Sequence, residues 1–202
     1  MKKIIVVGSG GHAKACIDVI EKQKKFKILG IIENIKSKKK NFMGYPVLGN
    51  DKNLKEIKKK CSNALIGVGQ IKNPELRSTI YNKLKNLGFI LPIIISPNAY
   101  VSNNSKIGSG SIIMHKAVIS AGSKVGINCI INTKALLEHD VEIGNDSHIS
   151  TGVIINGNTK VGCKTFIGSG SIIKQKINVG KNCIIGMGKI IKKNIKDFKI
   201  LK

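Results

Sequence analysis

From Val101 the chain reads Val101-Ser102-Asn103-Asn104-Ser105-Lys106-Ile107-Gly108-Ser109-Gly110-Ser111-Ile112-Ile113, and an aliphatic residue returns at every sixth position. Stepping by six gives Ile107, Ile113, Ile119, Val125, Ile131, Leu137, Ile143, Ile149, Ile155, Val161, Ile167, Ile173, Val179, Ile185 and Ile191 without a break. Two residues ahead of these runs a second set, from Ala99 through Ser111, Ser123, Ala135 and Thr159 to Ser171, in which nearly every member is small. A six-residue period lets a short strand turn one large and one small side chain inward, and three such strands close a triangular coil. Stacked coils hydrogen-bond to the layers on either side and bury their faces only against each other. The repeat therefore predicts an all-β left-handed parallel β-helix of roughly five coils. An ordinary β-sandwich would show irregular spacing. Gly108, Gly126, Gly144, Gly162, Gly168, Gly180 and Gly186 follow the aliphatic residue, where a tight corner is expected to need permissive dihedrals. Cys129 and Cys183 fall on small-residue positions and are read as packing rather than chemistry.

Ahead of the repeat the pattern changes. Lys3-Ile4-Ile5-Val6-Val7-Gly8 is an apolar strand that enters Gly8-Ser9-Gly10-Gly11-His12-Ala13 and then a helical stretch to about Lys24. A second strand over Ile28–Ile32 ends at Glu33, and a third is expected over Ala64–Gly69 between helical stretches near 51–60 and 73–87. This alternation predicts a small α/β, Rossmann-like parallel-sheet domain. The expected boundaries are 1–95 for this domain and 96–202 for the β-helix. Gly8, Gly10 and Ala13 satisfy the dinucleotide spacing, with Glu33 where a ribose-binding acid would stand. Only about sixty residues separate this unit from the repeat, too few for a second mononucleotide-binding half, so a nicotinamide cofactor is disfavoured. What survives is a helix N-terminus suited to a phosphate or pyrophosphate. His12 reads equally as a ligand contact or a helix cap. Residues 36–46, with Lys36 and Lys38, Lys39 and Lys40, read as a solvated or mobile connection.

Composition limits the remaining classes. The 35 Lys and Arg against 11 Asp and Glu leave +24, which raises polyanion binding. The lysines are scattered, and aromatics, at 4%, do not interleave with them as stacking platforms would. A solvated surface with a locally basic ligand pocket is the preferred reading, with no nucleic-acid partner expected. Five cysteines without a C-x-x-C pair argue for reduced thiols rather than a disulfide framework. No apolar run approaches membrane-spanning length and Met1 leads directly into a strand, so a cytoplasmic protein without a membrane partner is expected.

One corner of the repeat is anomalous: Leu137-Glu138-His139-Asp140 sets a histidine between two carboxylates where most coils carry Gly, Ser, Asn or Lys. An imidazole changes charge near neutral pH, and an adjacent carboxylate can orient it, so His139 is a candidate general base. A surface histidine beside solvated acids is the bland alternative. Three histidines for a metal are not obviously supplied by His115, His139 and His148, and no metal is expected.

With Val7-Gly8-Ser9-Gly10-Gly11-His12-Ala13, Ile66-Gly67-Val68-Gly69 followed by Arg77, and Ile131-Asn132-Thr133 leading into Glu138-His139-Asp140, the chain resembles the bacterial sugar O-acyltransferase family. That family is related to sialic acid O-acetyltransferases and to the N-acetyltransferases of the bacillosamine pathway. The resemblance runs from Lys3 to about Asn194 and implies an acetyl-CoA-dependent acetyltransferase that is a homotrimer through its β-helix. It implies His139 as base and Asp140 as its orienting acid, with His148, Gly157, Ser169 and Met187 at the acetyl-CoA. Gly8, Ser9, Gly10, Gly11, His12, Glu33, Gly69 and Asn132 would meet the acceptor. The acceptor so implied is a nucleotide-linked aminodeoxy-sugar, acetylated on nitrogen for surface glycan assembly. O-acetylation of sialic acid or a related nonulosonate is the nearest alternative. The resemblance departs at Glu33-Asn34, where the family usually has two aspartates, and a Gly-Pro-Ala-Lys-like tail across the CoA is not expected.

Overall fold

A computed structural model describes residues 1–33, 40–71 and 73–202. The chain forms two compact units, residues 1–69 with 75–92, and residues 70–74 with 93–202. The switch to the second unit falls at Pro92/Ile93, and the short segment Gln70–Pro74 after the third long strand of the first unit packs with the second.

In the first unit, β1 (Lys2–Val7) lies at the centre of parallel pairing, with β2 (Phe26–Ile32) on one side and β5 (Asn63–Ile66) on the other. Helix α1 (Gly11–Gln23) joins β1 to β2 and buries Ala13, Cys16, Ile17, Val19 and Ile20, largely at the i, i+3, i+4, i+7 positions of one face. It stops at Lys24, whose left-handed φ of 54° and N–H bond to the Ile20 carbonyl cap the last turn. Helices α2 (Leu54–Lys60) and α3 (Glu75–Asn86) flank β5.

The sheet is mixed rather than purely parallel, because β3 (Asn41–Phe42) turns back on β4 (Tyr45–Gly49) as an antiparallel hairpin beside β2. Residues 41–46, expected as a solvated connection, are thus part of the sheet. Phe42 is buried, and Met43 and Gly44, with φ of 51° and 80°, supply the two left-handed residues of a tight hairpin. The expected loop around Lys36, Lys38 and Lys39, and Asn34, lies outside the described residues.

The second unit is the left-handed β-helix. Eighteen two-residue strands, from β6 (Ile94–Ile95) to β23 (Ile200–Leu201), form three parallel sheets of seven, six and five strands. Six coils result rather than five, since the first begins at Ile94, before the regular run from Val101. Strands pair eighteen residues on, as Ile131 does with Ile113 and Ile149, until the last coil, where Ile184 and Ile185 pair sixteen residues on with Ile200 and Leu201. The stepped aliphatic residues fill one continuous core from Ile113 to Ile191, each buried side chain contributing about 1.5–3 kcal/mol.

The small set does more than fill space. The hydroxyls of Ser111, Ser123, Ser147, Thr165 and Ser171 each donate to the carbonyl fifteen residues on. Each also accepts from the N–H eighteen residues on, so these five hydroxyls are satisfied while they rivet two coils. Cys129 takes the same slot, with its Sγ 3.2 Å from the Gly144 carbonyl.

The corner glycines play a different part from the one expected of them. The left-handed residue recurs every six positions from Gly110 to Gly188, and nine of these are Asn, Asp or Lys, among them Asn128, Asp140 and Asn158. Gly108, Gly126, Gly144, Gly162 and Gly168 have no positive φ; they are glycine because the next coil presses on them. A Cβ on Gly144 would lie 2.5 Å from the Cys163 nitrogen, and one on Gly162 2.5 Å from the Lys181 nitrogen.

Candidate active site

In the first unit, the carboxyl ends of β1, β2 and β5 place Gly8, Ser9, Gly10, Gly11, His12, Glu33 and Gly69 along one edge of the sheet. Glycine is required where the turns crowd: a Cβ on Gly8, whose φ is 106°, would lie 2.9 Å from the Val68 side chain, and one on Gly69 3.3 Å from that of His12. Gly10 and Gly11, by contrast, face open space. Gly10 is the N-cap of α1 and no side chain caps it, so His12 is not the cap; the first turn carries no acid. The edge therefore offers uncrowded backbone at Gly10 and Gly11 and a helix N-terminus at the strand ends, the arrangement that receives phosphates in open α/β sheets. Arg77, fully buried on α3, shapes it by donating to the carbonyls of Ile66 and Val68, both at 2.8 Å.

In the second unit, His139 and Asp140 occupy the corner between the six-stranded and five-stranded faces. Asp140 has φ 58° and donates its N–H to the Ala121 carbonyl, which rotates its side chain back toward the preceding residue. Its Oδ2 then lies 3.0 Å from His139 Nδ1, with both side chains more than half exposed. A pair this open adds little stability; it sets the tautomer, Nδ1 carrying the hydrogen and Nε2 the lone pair. Above it, a Cβ on Gly157 would stand 2.5 Å from His139 Nε2. The imidazole rests on the Gly157 backbone because no side chain is there.

The remaining candidates gather at the corner between the seven-stranded and six-stranded faces. Asn132 Nδ2 lies 3.2 Å from His148 Nε2, and His148 Nδ1 bonds the Gln70 carbonyl. His148 is buried, with its ring edge-on to Phe166 at 5.2 Å between centroids. Two and three coils above Asn132, the same corner carries Ser169, bonded to Ser150 at 2.9 Å, and the exposed Met187. A single chain thus joins His139, Asp140 and Gly157 at one corner and Asn132, His148, Ser169 and Met187 at another. His115 is occupied by Ser96 at 2.7 Å, and among the described residues no group of three His, Cys, Asp or Glu could hold a metal ion. No described helix is long and apolar enough to cross a membrane.

Residues 3–84 match the family described as the PglD N-terminal domain. The acetyltransferase domain of PglB from Neisseria gonorrhoeae, solved in complex with acetyl coenzyme A, is 32% identical over 98% of this chain and 95% of that chain, with a TM-score of 0.91. The chain belongs to the PglD/PglB family of hexapeptide-repeat acetyltransferases. PerB from Caulobacter crescentus, solved with CoA and GDP-perosamine, is 27% identical over 98% of this chain and 92% of that chain, with a TM-score of 0.90. WeeI from Acinetobacter baumannii AYE is 25% identical over 98% and 94% of the two chains, with a TM-score of 0.84. No curated protein sequence matches the chain.

Within this acetyltransferase fold, two residues, Gly122 and Gln70, went unnoticed in the sequence, and a third, Ser123, was read only as a small packing residue. Gly122, below Asp140, must be glycine to admit the carboxylate. Ser123 donates to the Glu138 carbonyl at 2.7 Å and so props the His139 corner from beneath. The eighteen-residue coil would have pointed to both. Gln70, buried and 78 positions from His148, carries no such signal.

Proposed function

We propose that the protein transfers an acetyl group from acetyl-CoA to the amino group of a nucleotide-linked aminodeoxy-sugar, with His139 as general base. The observation that carries the reading is the His139–Asp140 pair resting on Gly157: a tautomer-fixed imidazole whose Nε2 lies at a surface stripped of side chains. The acceptor amine attacks the thioester carbonyl carbon and gives its proton to Nε2; the C–S bond breaks and the departing thiolate recovers the proton from the imidazolium. Asp140 holds Nδ1–H throughout and stabilises the cation. The Gly157 N–H, without a backbone partner among the described residues, would donate to the carbonyl oxygen as charge develops. Positioning of two substrates and proton transfer supply the rate, so no acyl-enzyme is needed and Cys129 and Cys183 stay in the core.

Acetyl-CoA is assigned to the Asn132 corner. There Gly152, Gly170 and Gly188 succeed one another with nothing within 4 Å of a Cβ on any of them, an edge of bare backbone along which an extended amide chain can lie. His148, Ser169 and Met187 border it. The acceptor is assigned to the first unit, where Gly8–His12 and Gly69 would receive the diphosphate and Glu33 the ribose or base. PerB and a perosamine N-acetyltransferase variant, both from Caulobacter crescentus, were solved with CoA and GDP-perosamine, which supports a nucleotide-linked amino sugar.

A homotrimer would complete the site. The outward ladder of the six-stranded face is Tyr100, Val118, Leu136, Ile154, Ile172 and Ile190, apolar at every step. The five-stranded face instead shows Lys106, Lys124, Glu142, Lys160 and Asn178. Tyr100 and Ile190 are more than 60% exposed in the single chain, which fits burial against a second copy. The His139 corner and the Asn132 corner flank this face, so cyclic packing through it brings one corner of each copy to the other corner of its neighbour. The free thiols fit a reducing, cytoplasmic setting.

The test is thiol release from acetyl-CoA with UDP- and GDP-linked 4-amino sugars beside free and CMP-activated sialic acids, for the native protein and His139→Ala. Turnover of an amino sugar, lost in His139→Ala, is expected. Turnover of a nonulosonate alone would move the chemistry to oxygen, and absence of CoA binding would overturn the reading.

A further inference from the structure

We infer that Gln70 is a positioning residue that fixes the tautomer of His148 and, through it, the amide of Asn132. Four hydrogen bonds run in one direction across this corner, and each dictates the next. The Thr133 N–H donates to Asn132 Oδ1 at 2.8 Å, so the amide nitrogen of Asn132 must face His148. Nε2 of His148 must then be the acceptor and Nδ1 the donor, and its partner, the Gln70 backbone carbonyl, can only accept. The Gln70 carbonyl is itself held in place, because its side-chain Nε2 donates to the Asp146 carbonyl at 2.7 Å. Asp146 stands at a left-handed corner, with φ 57°, and its carboxylate accepts from the buried Asn128 at 2.6 Å.

Two consequences follow. As long as Gln70 holds the ring, neutral His148 has no hydrogen on Nε2 and donates nothing at the corner. The second hydrogen of the Asn132 amide remains for a ligand, held at one orientation by partners on both sides. Asn132, which the resemblance placed at the acceptor, is then the donor that this corner offers to a carbonyl of the acetyl donor, and His148 acts through it. This role rests on the assignment of acetyl-CoA to the Asn132 corner; the tautomer does not.

The experiment uses the full chain labelled with 15N-histidine. Two-bond proton–nitrogen spectra report each ring's tautomer, with the His148 signals assigned by their loss in His148→Gln. In the native protein His148 is expected as the single Nδ1–H tautomer. Gln70→Met keeps the length of the side chain and removes its donor; a mixture of both tautomers is expected there. Its KM for acetyl-CoA should rise at least fivefold while kcat stays within twofold, which a loss of general stability would not produce. An Nε2–H or doubly protonated His148 in the native protein overturns the proposal, as does a Gln70→Met ring that stays in the Nδ1–H form or a KM that does not move. The native spectrum decides the relay even if Gln70→Met does not fold. A protein that turns over no acetyl-CoA would remove the functional reading and leave the tautomer result standing.

Discussion

The His139 ring lies so close over Gly157, one coil later, that a single added carbon would fall 2.5 Å from Nε2. Gly157 has no positive φ, so alanine suits its backbone and the clash falls on the imidazole alone. Gly157→Ala is expected to lower kcat by about 100-fold, the cost of misplacing a reacting group by an ångström. The melting temperature should stay within about 2 °C of the native value. Steady-state kinetics beside thermal unfolding separate the two effects, and a fully active Gly157→Ala would exclude His139 from the proton transfer.

Arg77 separates shape from chemistry in the first unit. Arg77→Met leaves the carbonyls of Ile66 and Val68 without their buried donor, at about 1–3 kcal/mol for each. The turn at Gly67–Gly69 should loosen, raising the KM for the acceptor at least fivefold while that for acetyl-CoA holds. Chemical unfolding and two-substrate kinetics on one preparation test both statements.

The apolar ladder is tested by charge. Ile154→Glu sets a carboxylate in the middle of the six-stranded face and is expected to yield monomers by light scattering, with activity lost although His139 and Asn132 are untouched. Lys124→Ala, on the five-stranded face, should leave a trimer. A native protein that is monomeric and active would overturn the shared site.

The thiols give a pH-dependent check on the core. Burial pushes Cys16 from its ordinary 9.0 up to about 12, with the Arg77 charge opposing in part. The native state keeps a proton that the unfolded chain releases, so this group leaves stability unchanged below pH 9. Between 9 and about 12 it favours unfolding increasingly as pH rises. Cys61 and Cys183 are displaced the same way, first by burial. Near neutral pH a thiol reagent should label Cys163, the exposed cysteine, and reach Cys16, Cys61, Cys129 and Cys183 only on unfolding. Rapid labelling of Cys16 in native protein would contradict this packing.

Much of this molecule was legible before its structure. A hexapeptide period encodes its own fold, because whether a side chain points inward is decided within six residues and repeated by every coil. The Gly-rich turn after β1 and the unusual His139 corner were readable for the same local reason. Contacts between coils needed the closed coil. Only when eighteen residues complete a turn does Gly157 come to lie on His139 and Gly122 beneath Asp140, and only then is a corner glycine seen to yield to its neighbour's backbone rather than to a dihedral angle. The β3–β4 hairpin, hidden in a Lys-rich stretch, depended on burying Phe42 against the sheet. Most remote from the sequence was Gln70. No period links it to His148, and its bond to that ring exists because the tertiary path brings Gln70 against His148 and Asp146 of the β-helix. Local geometry determined the coil and singled out the His139 corner, whereas the hydrogen bonds that orient the His148 ring and the Asn132 amide are made by residues that only the folded chain brings together.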